Sequence, residues 1–247
     1  MRAFRKMFTT ELKLSIRGMD MVIFSIIMPV VVLVILGVVF KDKAASDNAD
    51  YSFFEQSFGA VCAIAICAGG VMGLPLVVSD YRSKKILKRY KVTPIRPIMI
   101  LSVQILIYAL YAVTSLVSLL ILASLAFDYQ MRGSIIAFLG SYLLVMISMF
   151  SIGMLVGGLA KNVKTAGLMA SILYFPMLVF SGATLPYELM PRPMQIASDF
   201  MPLTQGIKLL KASSLGHSVS NVLSPIIILM LLAILCSGIS IKYFKWE

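Results

Sequence analysis

The chain has 247 residues, of which 60% are hydrophobic and only 13% charged, and its mean hydropathy is +0.94; globular domains average about 45–50% apolar and about 25% charged, so this composition argues against a soluble fold. The 22 Lys and Arg residues against 11 Asp and Glu leave a net charge of +11, which in a soluble protein would point to nucleic acid. Here the bases flank apolar stretches, so membrane topology and anionic lipid account for them, and no nucleic-acid partner is expected.

Residues 1–20 place Phe4, Phe8, Leu12 and Ile16 at steps of four among basic residues, the pattern of an amphipathic helix lying in the cytoplasmic membrane surface. Residues 21–247 read as one six-span permease-sized membrane domain. The first apolar run, from Met21 towards Lys41, is longer than a signal core and has no small-residue cleavage site, so it reads as a permanent span. Six stretches lack Asp, Glu, Lys and Arg, at about 21–40, 57–79, 98–127, 133–160, 165–184 and 222–241. A central charge costs about 2.5–3.5 kcal/mol on insertion scales, so six such intervals predict six transmembrane helices and an all-α polytopic fold. A chain of this size leaves no room for an additional soluble enzyme domain. Between 186 and 220, apolar residues broken by Pro191, Pro193 and Pro202 predict short re-entrant or interfacial helices on the outer side. Cys62, Cys67 and Cys236 all fall in apolar segments and read as small buried hydrophobes.

Alternate segments carry the bases. The start has Arg2, Arg5, Lys6, Lys13 and Arg17; the second connection has Arg82, Lys84, Lys85, Lys88, Arg89, Lys91 and Arg96; Lys161, Lys164, Lys242 and Lys245 follow. By the positive-inside rule these segments face the cytoplasm, which puts both termini inside a multi-pass plasma (inner) membrane protein.

Intramembrane catalysis needs polar groups at depth. The single histidine, His217, lies in the outer segment, the predicted spans hold no Asp, and there is no His-Glu-x-x-His, so protease chemistry and a metal site are not expected. Ion-coupled carriers usually keep an ionisable residue in a span, and none is present in these six. No Gly-x-x-x-x-Gly-Lys-[Ser/Thr] phosphate loop occurs, so ATP and Mg²⁺ would have to be held by a separate polypeptide. The connection 80–97 offers the point of contact. Asp80 to Lys91 can form a short helix with Ile86, Leu87 and Tyr90 among bases, ended by Pro94 and Pro97. It reads either as a basic anchor on anionic lipid or as a coupling helix that docks on a cytoplasmic ATPase. Gly69 with Gly73 and Gly153 with Gly157 are small residues four apart that let helices approach closely, within the chain or across a dimer. Pro29, Pro75 and Pro176 should kink their spans.

Three regions in order carry a family resemblance. They are Glu11-Leu12-Lys13 through Arg17 with Pro29 and Leu36-Gly37-Val38-Val39-Phe40; Thr93-Pro94 with Pro97; and Phe175-Pro176, Ser181-Gly182, Leu185-Pro186, Pro202-Leu203-Thr204 and Leu209-Leu210-Lys211-Ala212. The sequence resembles the permease subunits of type-2 ABC exporters, of the drug or antibiotic type. That resemblance implies a pair of permeases, as a homodimer or with a related chain, on two separate ATP-binding subunits. It implies coupling through Asp80, Arg82, Lys84, Lys85, Lys88, Arg89, Thr93 and Pro94, and a pathway between the two permeases lined by the second and fifth spans, with Met72, Phe175, Phe180 and Ser181 as candidates. The chain departs from the pattern at Asp80-Tyr81-Arg82-Ser83, where many members have a glutamate and a glycine. The uncharged interior and the 17 methionines favour a hydrophobic or amphipathic substrate, such as a drug, antibiotic or lipid-like compound. Export of polysaccharide or glycolipid, a secondary carrier and an intramembrane enzyme are the alternatives.

Overall fold

Apolar stretches of this length leave backbone N–H and C=O groups no partners but each other, and the chain meets that demand with helices. A computed structural model describes residues 2–41, 43–45, 50–84, 97–182, 187, 190–216 and 222–243. Helix α1 (Arg2–Gly18) is followed by Met19 in the left-handed region, φ 59°, which turns the chain into α2 (Asp20–Phe40). Then come α3 (Phe53–Ser83), α4 (Pro97–Phe127), α5 (Ile135–Leu159), α6 (Val163–Phe180), α7 (Arg192–Asp199), α8 (Pro202–Leu215) and α9 (Leu223–Tyr243). Six of these, α2 to α6 and α9, are long and apolar enough to cross a membrane.

The second span is longer than its charge-free interval of 57–79. Ser52 Oγ accepts from Glu55 N at 3.2 Å while Glu55 Oε2 accepts from Ser52 N at 2.9 Å, a reciprocal cap that starts the helix early. At its other end the helix runs on through Asp80 and Arg82. The expectation of wholly uncharged helices is therefore corrected: α3 bears Glu55, Asp80 and Arg82 at its ends and none between. Helix α6 likewise starts at Val163, because the Asn162 side chain accepts from Thr165 N at 2.8 Å.

Two spans contain a wide π turn, Ile23–Ile27 in α2 and Ala68–Gly73 in α3, and each lies just ahead of a proline, Pro29 and Pro75. A proline ring clashes with the carbonyl four residues back and offers that carbonyl no N–H. Loosening the preceding turn relieves both problems without ending the helix. The two π turns touch each other across the α2–α3 contact.

Helix α3 is the centre of the bundle. In its most apolar window 78% of residues are buried, against 44% in α5, 39% in α4, 22% in α2 and α9 and 17% in α6. Its glycines allow this. A Cβ on Gly70 would come within 2.7 Å of the Phe150 ring, one on Gly153 would overlap the Gly70 carbonyl, and one on Gly157 would sit 2.9 Å from Val78 Cβ, so α3 and α5 meet almost backbone to backbone. Helix α8 fills the angle between them, with Gly59 against Leu210 and Lys211 and Gly206 against Val145. Helix α9 lies along α5, and α1 seats Phe4, Met7, Phe8 and Leu12 on Val103, Ile107 and Tyr111 of α4. One end of the bundle gathers α1, the close of α3, α5 and α9 and the start of α4 and α6. This is the basic end; the described residues 43–45 and 50–52, with 128–134, α7 and α8, form the opposite end.

Candidate functional site at the basic end

Successive helical residues point about 100° apart, so neighbours in the last turn of α3 leave it in different directions. Tyr81 turns to α1 and α4: its hydroxyl donates to the Glu11 carboxylate. Gln104 Nε2, 3% exposed as a residue, donates to Glu11 Oε2 at 3.2 Å and lies 2.9 Å from the Tyr81 oxygen. One turn further along, the Tyr111 hydroxyl donates to Ser15 Oγ at 2.8 Å. Polar atoms half hidden from water must find such partners, and here they come from three different helices.

Arg82 turns the other way. Its Nη1 lies 3.1, 2.5 and 2.9 Å from the carbonyl oxygens of Gly157, Gly158 and Ala160, the last turn of α5, where backbone acceptors lose their helical partners and the helix dipole is negative. Asp80 and Lys84 form an i,i+4 ion pair at 2.8 Å on the exposed side, worth about 0.3–0.5 kcal/mol at such a position.

The coupling residues expected from the sequence thus divide. Asp80 and Arg82 belong to the last turn of the α3 helix, with Lys84 just beyond it, and Pro97 already starts α4; Lys85, Lys88, Arg89, Thr93 and Pro94 lie outside the described residues. The span's own helix delivers Asp80, and the rest of the segment expected as a coupling helix, 85–91, lies outside the described residues. Sequence reasoning missed Tyr81 and Gln104 as site residues, and met Glu11 only within a motif. The available signal was Gln104, an amide standing alone in the apolar run 98–127.

The four pathway candidates lie on two different helices, α3 and the end of α6. Met72 is half-buried in the π turn of α3, Phe175 is exposed on α6, Phe180 is half-buried, and Ser181 is buried with its hydroxyl donating to Leu178 O at 2.9 Å. A cavity of about 310 Å³ lies among α4, α5 and α9, lined by residues that include Ala109, Met146, Phe150, Met154, Ser237 and Ser240. Gly69 and Gly73 are occupied within the chain, Gly69 facing Ser25 and Tyr108 and Gly73 facing Met21 and Tyr108, as are Gly153 and Gly157 on α3. Pro176 sits inside α6.

At the opposite end, Asp199 Oδ1 is 2.5 Å from Lys208 Nζ, both Asp199 oxygens are 3.0 Å from the Tyr187 hydroxyl, and the Lys208 ammonium stands 4.3 Å from the Tyr187 ring centroid. Partial desolvation and the Asp199 carboxylate hold the Tyr187 phenol above its ordinary range. Lys41 pairs with Asp128 at 2.8 Å, and that hydrogen bond and charge hold the Asp128 carboxyl below its ordinary range. Among the described residues no three of His, Cys, Asp and Glu gather as metal ligands would.

Comparison with known proteins agrees on one family. The profile of the ABC-2 type transporters matches residues 2–215. Over 166 residues the chain is 26% identical to the inner membrane transport permease YhhJ of Escherichia coli (strain K12), a stretch that covers 67% of this chain and 44% of YhhJ. The chain thus spans less than half the length of that relative. It is 32% identical over 94 residues to nodulation protein J of Rhizobium leguminosarum bv. trifolii, covering 38% of this chain and 34% of the relative. With YvfS of Bacillus subtilis (strain 168), whose name provisionally makes it a transport permease, it shares 22% identity over 82% of this chain and 81% of the relative.

Proposed function

This chain belongs to the ABC-2 type transporter family, and we propose that it works as the membrane permease subunit of an ATP-driven exporter of hydrophobic or amphipathic compounds. The observation that carries the reading is the family match, which runs from α1 to α8 and takes in the basic end of α3. A separate ATP-binding subunit holds ATP and Mg²⁺ and moves the connection 80–97; the 247 residues here contain no phosphate loop of their own. The basic end faces the cytoplasm by the positive-inside rule, which sets both termini inside at the plasma (inner) membrane. Helix α1 then serves at the membrane surface, and α7 and α8 form the outer re-entrant hairpin. Gly206 packs against Val145, ten residues along α5 from its start at Ile135, and this depth supports that placement.

A second copy supports the pathway. Helix α6 has the lowest hydropathy of the six spans, 1.6, yet 17% of its window is buried, whereas the equally bare α2 has 3.2. The resemblance to type-2 ABC exporters implies a path between two permeases beside the fifth span, and the exposed stripe Leu168, Ile172, Phe175 and Val179 of α6 is the surface that would meet the second copy there. Drugs, antibiotics and lipid-like molecules fit its uncharged surface.

The test is to purify the tagged chain with whatever ATPase accompanies it and measure association and ATP hydrolysis with Lys84, Lys85, Lys88 and Arg89 reversed to Glu. Both should fall; unchanged association and activity would sink the docking role. Gradient-driven uptake into vesicles containing this chain alone would replace the exporter reading with that of a secondary carrier.

A further inference from the structure

We infer that Tyr81 and Arg82 are positioning residues that divide the displacement of the connection 80–97 between two halves of the bundle. Tyr81 hands it to α1 and α4 through Glu11 and Gln104, and Arg82 hands it to α5 through the carbonyls of Gly157, Gly158 and Ala160. The inference rests on the exporter reading, since it needs a driven motion at that connection.

A basic residue in the last turn of a helix favours terminal carbonyls; Arg82 occupies that position in α3 and reaches across to the terminal carbonyls of α5. Adjacent to it, Tyr81 spends its hydroxyl on a carboxylate of another helix. Apolar contacts between helices tolerate sliding, because their energy varies slowly with register. Hydrogen bonds at 2.5–3.1 Å are directional and short in range, so a push on the end of α3 is passed on where they are.

The downstream connections make the division useful. On the Arg82 side, the glycine seam binds α5 to α3 along its length, and the Ser148 hydroxyl carries the link on to α9 through Leu229 O at 2.9 Å. On the Tyr81 side, α1 is seated on α4 by Phe4, Phe8 and Leu12, with Ser15 bonded to Tyr111. Two adjacent residues at the mouth of the connection therefore address two different groups of helices, α1 with α4 and α5 with α9, which meet again deeper in the bundle at the Tyr142–Ala112 hydrogen bond.

Hydrogen–deuterium exchange of the co-purified complex, with and without ATP and vanadate, tests this. In the wild type, trapping should change exchange both in residues 2–18 and in residues 156–162. Arg82→Gln should reduce the change at 156–162 by about threefold or more and leave that at 2–18 in place, and Tyr81→Phe should do the reverse. Arg82→Lys, which keeps one cationic donor, should retain most of the response at 156–162, and it provides the comparison with wild type should the Gln variant fail to assemble. A residue with a merely structural role would weaken both responses together, and that result, or variants that respond as wild type does, overturns the inference. A wild-type complex that binds ATP and shows no change at either segment overturns the exporter reading itself.

Discussion

Helices α3 and α6 are both spans with uncharged middles, yet 78% of the apolar window is buried in the first and 17% in the second. Hydropathy does not separate buried from bare, for α3 shares its value of 2.4 with α4 and α9, which are far less covered. Inside a bilayer apolar surface gains little by leaving lipid for protein. Close packing decides which helix becomes the core, and small residues permit it. Helix α3 has Gly59, Gly69, Gly70 and Gly73, each against a neighbouring element. Helix α6 turns only Ala166, Ala170 and Met177 fully inward, half-buries Met169, Leu173 and Tyr174 against the core, and leaves Leu168, Ile172, Phe175 and Val179 exposed.

The largest effect expected from this contrast is in the α3–α5 seam. Gly153→Leu drives a side chain into the Gly70 carbonyl, and since both partners are backbone neither can yield by a rotamer change. It should cost about 3 kcal/mol or more, read as loss of monodisperse protein in mild detergent. Ile172→Leu on the bare stripe of α6 should stay within about 0.5 kcal/mol. Equal effects would mean that α3 is not the core.

The bare face is the next place to press. In a Cys236→Ser background, single cysteines at Leu168, Ile172 and Val179 should give oxidised dimers at one position at least, because residues near a two-fold axis meet their own copies. Val38→Cys, on the 74% exposed Val38 of the more apolar α2, should stay monomeric. Cross-linking through α2 and not through α6 would reverse the assignment of lipid and protein faces.

These contrasts also show what the sequence made legible. The absence of charge located six spans, because burying an unpaired charge is so costly that its absence is informative. The ends were less readable. Ser52-Phe53-Phe54-Glu55 is a capping-box pattern that starts α3 before the apolar run, and the pattern of charges alone placed the start later. The glycine pairs were readable as close-approach sites, but not what approached them, since 70 with 153 and 78 with 157 are pairings set by tertiary structure. Arg82 illustrates the same limit. Among lysines it reads as one more base for lipid or ATPase, and only the arrival of the α5 terminus gives it another task. Likewise, Asp199 and Lys208 are nine residues apart in a segment read as short helices, and only the turn between α7 and α8 brings them to 2.5 Å.

Smaller effects belong to single hydrogen bonds around α3. The Tyr142 hydroxyl donates to Ala112 O at 2.7 Å in a buried position, tying α5 to α4. Tyr142→Phe keeps the ring and removes the bond, so it should cost about 1 kcal/mol, well below the seam variant, and show as a lower melting temperature of protein that stays monodisperse in the same detergent.

The smallest effect should come from the rim, at the Lys41–Asp128 pair that joins the ends of α2 and α4. Asp128 takes a left-handed conformation, φ 52°, which asparagine also tolerates, so Asp128→Asn removes the charge and leaves the turn. The Lys41 hydrogen bond and charge depress the carboxyl's pKa in the folded protein. Its contribution is therefore complete above the unfolded value of about 3.9 and is lost as pH falls through the lower folded value. Any melting difference between wild type and variant should hold from neutral pH down to about pH 5 and then close as the pH falls through the carboxylate range. At about 1 M salt, where the screening length is about 3 Å, it should fade at every pH. A difference that survives both acid and salt would show that Asp128 acts through the backbone turn and not through Lys41. Its side chain is 83% exposed, which is why this ion pair, despite its short 2.8 Å separation, should matter less than a glycine that makes no bond at all.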